Sequence, residues 1–208
     1  MPANSMEISK TIGHIATRWQ EVDKPLLRHI FPLLAEGKPV PLTRLAQVTG
    51  KDIATLERAL LHGHTKPDLR GRVTELFGIT LSPTLHRIRV GHTLLFSCCA
   101  LISHTLSALV GQTTTVESLD PLSRKVVQLT VSPSGLQSVN PQFAVGTLAV
   151  TQEEEVFKDV RAAFCSHVCH FASAESAATF VNGDARRYVV AIKEFHEAAE
   201  QLRATIWG

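Results

Sequence analysis

The chain has 208 residues, with 21 basic and 19 acidic side chains and a formal net charge of +2. That balance argues against a dedicated nucleic-acid binder, which would carry a basic face. With 44% hydrophobic and 19% charged residues, global disorder is excluded and the chain can bury a real core. The length suits one large or two small domains.

The first ten residues are polar and lack the basic-then-apolar pattern of a secretory leader. The longest apolar stretch, residues 93–110, is interrupted by Ser97, Ser103, His104, Thr105 and Ser107. It reads as a buried strand running into a buried helix, with no membrane span. The four cysteines form two tight clusters, Cys98 and Cys99, then Cys165 and Cys169. Reduced thiols in a cytoplasm are the expectation, which points to soft-metal or nucleophilic chemistry.

In chain order, residues 14–35 carry apolar side chains (Ile15, Trp19, Val22, Leu26, Leu27, Ile30, Leu33, Leu34) at helical spacing. Pro25 and Pro32 interrupt them, predicting two helices or a kink. Residues 41–50 read as a short helix ended by Gly50. Asp52 is placed to cap the next helix, 53–61. Residues 74–81, 85–90 and 93–97 are predicted strands, so the first half has a winged helix-turn-helix silhouette. Only Lys51 and Arg58 supply cations on its second helix, which weighs against DNA as a ligand.

A helix is expected over 100–110, stopped by Gly111. Strands are expected over 113–117, 126–131 and 145–150, with a turn at 132–135. Residues 153–164 read as a helix with three acids in its first turn, as the helix dipole prefers. Residues 167–172 are a candidate buried strand, and 175–181 and 188–207 read as helices. If the segment around Cys165 is extended, Cys165, His167 and Cys169 share one face. Of the ten histidines, His14, His29, His62, His64, His86 and His92 are expected on the surface or in turns, and His196 is read as structural.

The matching stretches are Phe77-Gly78-Ile79-Thr80-Leu81, Cys99-Ala100-Leu101, Ala108-Leu109-Val110-Gly111, Leu129-Thr130-Val131-Ser132-Pro133 and Phe164-Cys165-Ser166-His167-Val168, with Leu34-Ala35-Glu36-Gly37-Lys38-Pro39-Val40 upstream. Through them the chain resembles the bacterial organomercurial (alkylmercury) lyases from about Pro25 to Ala172. The resemblance implies an α+β fold: an N-terminal helical, winged helix-turn-helix-like domain (residues 1–80), then a mixed α/β lyase-like domain (81–208) with both cysteine clusters. It implies that Cys99 and Cys165 grip mercury, and that an aspartate three residues after the first cysteine helps deliver a proton to carbon. Here that position is Ile102. The family's tryptophan before the first cysteine is Cys98, and a further family cysteine is replaced by Asp120.

Thiolates select soft metals, and Cys99, at the start of a predicted helix, is expected to gain thiolate character from the helix N-terminus. Ser103, four positions on, is a candidate substitute for the missing acid, with His104 a stronger acid–base group facing elsewhere. Cys98 and Cys169 are either further metal ligands or small buried hydrophobes. The leading expectation is a small organometallic or soft electrophile bound by Cys99 and Cys165 and cleaved by protonolysis, with no cofactor required and cellular thiols as partners of a monomer or homodimer. Alternatives are a non-catalytic protein binding Hg, Cu or Zn, a family member recruited to a different, biosynthetic reaction, and a metal-responsive regulator using its helix-turn-helix.

Overall fold

The computed structural model describes residues 5–18, 24–62 and 65–207. Trp19, Val22 and His64 lie outside that set. The fold is α+β. It opens with helices α1 (Ser5–Arg18) and α2 (Lys24–Leu34). Pro25 falls in the first turn of α2, where a missing N–H leaves no bond unmade. A short strand β1 (Val40–Pro41) leads into α3 (Leu42–Thr49), which ends as expected on Gly50 in the left-handed conformation. Helix α4 (Ile53–His62) starts on Asp52, whose carboxylate accepts the Thr55 amide at 2.9 Å. Strand β2 (Arg72–Val73) pairs back onto β1.

Residues 74–81, expected as one strand, instead form a hairpin of β3 (Glu75–Leu76) and β4 (Ile79–Thr80). Phe77 and Gly78 make the two-residue turn with φ of 48° and 76°, the signature of the turn whose twist matches a hairpin. The hairpin joins β5 (His86–Val90), β6 (Thr93–Ser97), β7 (Thr114–Leu119), β8 (Val126–Ser132) and β9 (Gly135–Asn140) in one seven-stranded sheet. Its order is β3-β4-β6-β5-β7-β8-β9, with every pairing antiparallel. The hairpin therefore ties the region before residue 80 into the sheet of the region after it. Along β5 and β7 buried and more exposed residues alternate, so one face carries Ile88, Val90, Val116 and Ser118 into the core. Each large apolar side chain buried this way contributes roughly 1.5–3 kcal/mol.

The expected helix over 100–110 is two short ones, α5 (Ala100–Ser103) and α6 (Leu106–Val110). The Ser103 hydroxyl donates to the Ala100 carbonyl at 2.6 Å and the Thr105 hydroxyl to the Ile102 carbonyl at 2.9 Å. Such side-chain bonds compete for the carbonyls a continuous helix needs.

A second, three-stranded sheet places β10 (Val145–Ala149) between β11 (His170–Phe171) and β12 (Arg187–Ala191). Helix α7 (Glu153–Ala163) precedes β11, and α8 (Ala174–Val181) follows it. Residues 188–191, read as the start of a helix, are strand; only 192–207 form helix α9 (Ile192–Trp207). One apolar core runs from Ile12 through the seven-stranded sheet to Ile206.

Candidate active site: three thiols beside a buried histidine chain

Two loops form the site. Strand β6 ends at Ser97, and Cys98 and Cys99 follow before α5 begins. The Cys98 amide donates to the Gly78 carbonyl at 2.7 Å, the Ser97 hydroxyl to the Cys99 carbonyl at 3.0 Å, and the Ala100 amide to the Val168 carbonyl at 3.1 Å. This last bond fastens the first cysteine loop to the second. The glycine at 78 is required. A Cβ there would stand 2.5 Å from the Cys98 sulfur, and φ is +76°.

The second loop is set by a break in α7. Asp159 leaves the helical region (φ −159°, ψ 92°), and its carboxylate accepts the amides of Arg161 and Ala162 at 3.0 and 3.1 Å, capping a fresh turn. That turn runs through Phe164 into a single 3₁₀ turn, Cys165–His167. Because this segment is a turn, Cys165, His167 and Cys169 do not line one face of a strand as the extended reading required. The Thr147 hydroxyl on β10 locks the exit, donating to the His167 carbonyl at 2.7 Å and accepting the Cys169 amide at 3.2 Å.

The outcome is a cluster. The sulfurs of Cys98, Cys99 and Cys165 all lie within 4.8 Å of one another, and the Cys98 thiol donates to the Cys165 sulfur at 3.6 Å. Cys169 is apart from them, in a small apolar group with Phe171 and Ala177. Ser103 is fully buried, with its hydroxyl directed at the Ala100 carbonyl. Cys98 and Cys165 open on a pocket of about 200 Å³ that Arg18, Glu75, Gly78, Asp159 and Arg161 also line. Arg161 pairs with Glu75.

The bond to Cys165 at Cys99, and that to Cys98 at Cys165, with burial, push these two thiols well above the ordinary cysteine range, against an opposing bond from the third thiol. At Cys98 the bond to Cys165 pulls the other way, but Cys99 and burial outweigh it. The expected activation of Cys99 by the helix N-terminus does not occur: α5 has four residues and the Cys99 side chain makes no capping bond. These thiols are proton carriers at neutral pH.

His86, expected at the surface, is 3% exposed. It anchors a chain across β5, β7, β11, α9 and the turn between α5 and α6. The His86 Nδ1 lies 2.9 Å from the Ser118 Oγ, and that oxygen lies 2.8 Å from the His170 Nδ1. The His170 Nε2 meets the His104 Nε2 at 3.0 Å, and the His104 Nδ1 meets the His196 Nδ1 at 3.1 Å. A neutral imidazole carries one N–H, so the bonds linking His170, His104 and His196 are all satisfied only when they point the same way. Burial lowers the pKa of His86 to about 4 and, with help from His196 and His86, that of His104 to about 3. His104 thus has both nitrogens engaged and is not turned toward the thiols. Sequence alone pairs His86 with Ser118 only if the β5–β7 register is known, which it was not.

Asp120 is fully buried and structural. Its carboxylate accepts the amides of Leu122, Ser123 and Ala172 and the Ser176 hydroxyl at 2.9–3.1 Å.

An α+β fold that brings two buried thiols and a half-buried third from two loops to the end of one pocket defines a protein with a soft-ligand site. Residues 79–203 match the MerB family, described as alkylmercury lyase. The chain is 36% identical over 183 residues to an alkylmercury lyase of Staphylococcus epidermidis, covering 86% of this chain and 82% of that one. It is 30% identical over 175 residues to an alkylmercury lyase of Bacillus cereus, covering 84% and 78%. Its fold is similar to that of the crystal structure of the mercury-bound form of MerB2, with a TM-score of 0.75 at 18% identity over 97% of this chain and 99% of that one. The chain belongs to the alkylmercury lyase family. Among the described residues no helix is long and apolar enough to cross a membrane.

Proposed function

We propose that the chain cleaves the carbon–mercury bond of small organomercurials by protonolysis, with Cys99 and Cys165 as the metal-binding pair. The observation that carries this is the meeting of three thiols within 4.8 Å beside an open pocket. An organomercury cation bound to one sulfur is approached by a second, still protonated thiol. The proton passes to carbon as the carbon–mercury bond breaks and a second mercury–sulfur bond forms. The hydrocarbon leaves, and cellular thiols withdraw the mercury held by Cys99 and Cys165.

The raised thiol pKa values favour this course, because the acid is already in place. Ile102 stands where the resemblance puts an aspartate, and loss of one acid–base group costs about 10²–10⁴-fold in rate. The Arg161 guanidinium, close enough to feel the charge of Cys98 and Cys165, stabilises a thiolate as it forms. Ile102 is buried beside Gly78 and Cys98, which also favours a second reading: a soft-metal site that binds in a reducing cytoplasm without turnover. Incubation with phenylmercury and excess thiol separates the two. Benzene release lost in Cys99→Ser and in Cys165→Ser supports the lyase, whereas tight mercury binding without benzene supports the second reading.

A further inference from the structure

We propose that Cys98, Cys99 and Cys165 form a trithiolate site for a trivalent, pyramidal metalloid, with arsenite as the ligand class. The inference uses the same three sulfurs as the lyase reading but needs no turnover. Two observations carry it.

The first is spacing. Sulfurs bound to one central atom at about 2.3 Å lie about 4.6 Å apart when the arrangement is linear. The Cys98 and Cys165 sulfurs are 3.6 Å apart, which at that bond length corresponds to an angle of about 100°. That is the angle of a pyramidal three-coordinate atom. All three sulfurs lie within 4.8 Å of one another.

The second is charge. Cys99 is fully buried and Cys165 nearly so, where an uncompensated charge is costly. Three thiolates bring three negative charges. A monovalent ion leaves two of them and a divalent ion one, whereas a trivalent centre leaves none. Arg161, paired with Glu75, and Arg18 line the pocket beside the thiols, and Ile102 contributes no carboxylate. Among complexes that use all three sulfurs as thiolates, the trivalent one is the neutral one. Arsenous acid also balances the protons. Three As–O bonds break, three As–S bonds form, and the three thiol protons leave with the hydroxides as three waters, with no oxidant or reductant.

The test is arsenite binding to the reduced, full-length protein, read by X-ray absorption at the arsenic edge. The expected result is three sulfur neighbours and no oxygen. Cys98→Ser should leave two sulfurs and weaken binding by about 10²-fold or more, the effect of losing one tethered arm. Cys169→Ser, whose sulfur lies outside the cluster, should retain three. Two sulfurs in the unaltered protein, or no arsenite bound, overturns the proposal whether or not the variants fold. Benzene release from phenylmercury, measured on the same preparation, reports separately on the lyase reading. Three As–S bonds without benzene support the trithiolate site alone, and benzene without arsenite binding overturns it alone.

Discussion

The Cys98 sulfur lies 3.6 Å from that of Cys165, 67 positions away in the chain. Two devices bring them together: the Phe77-Gly78 turn, whose backbone carbonyl holds the Cys98 amide, and the Asp159 break in α7, which aims Cys165 inward.

The first device is testable at Gly78. Alanine there places a methyl group against the Cys98 sulfur and adds a side chain at φ +76°. Gly78→Ala should destabilise the fold by about 1 kcal/mol or more and shift Cys98 out of the cluster. Urea unfolding and the rate of Cys98 alkylation measure the two effects. Unchanged stability and unchanged thiol reactivity would contradict the account of this turn.

Asp120 should matter for stability and not for chemistry. It accepts four part-buried hydrogen bonds from three segments, and its removal leaves their donors without this partner. Asp120→Ala should cost about 1–3 kcal/mol, visible as a lower urea midpoint, while mercury binding by the folded fraction persists.

The histidine chain predicts a pH dependence. The folded protein holds His86 at a pKa of about 4 and His104 at about 3, against about 6.5 for a free imidazole. Between these values the unfolded chain binds more protons than the folded one, so the stability from burying the neutral rings is complete above pH 6.5 and is lost as the pH falls toward 4 and 3. At pH 5 the loss is about 2 kcal/mol for His86 alone. Burial also lowers the pKa of His196 at the outer end, against the opposing charges of Glu200 and Glu197. Urea titrations at pH 7 and pH 5 measure the difference, and His104→Leu should lower stability at both. A flat profile would mean that the rings are not held neutral.

Much of this architecture was legible in the sequence. The Gly50 stop, the Asp52 cap and strands β5, β6, β8 and β10 follow from spacing and turn chemistry. The resemblance carried by Phe164-Cys165-Ser166-His167-Val168 pointed to the two loops that meet. Residues 188–191 are a short apolar run with no period of its own, and Val189-Val190 was the β-branched signal that it is strand. The broken helix at 103–105 came from hydroxyls bonding to carbonyls. The histidine chain depends on strand register, which one sequence does not supply.

Restoring a carboxylate tests the role assigned to Ile102. Ile102→Asp places an acid in a buried position beside Cys98. It should cost stability, by about 1–3 kcal/mol for a polar group buried without full pairing, yet raise hydrocarbon release about 10²-fold. Single-turnover kinetics with phenylmercury read the rate. A folded variant no faster than the unaltered protein would mean that residue 102 does not face the reacting carbon.

The central claim is that a thiol proton ends on carbon while Cys99 and Cys165 keep the metal. It is tested most directly by a single turnover of phenylmercury in deuterated water, followed by mass spectrometry of the benzene and of the intact protein. The account predicts benzene carrying one deuterium, one mercury retained per chain, and neither from Cys99→Ser or Cys165→Ser. Benzene released equally by both variants, or mercury bound with no benzene formed, would contradict it.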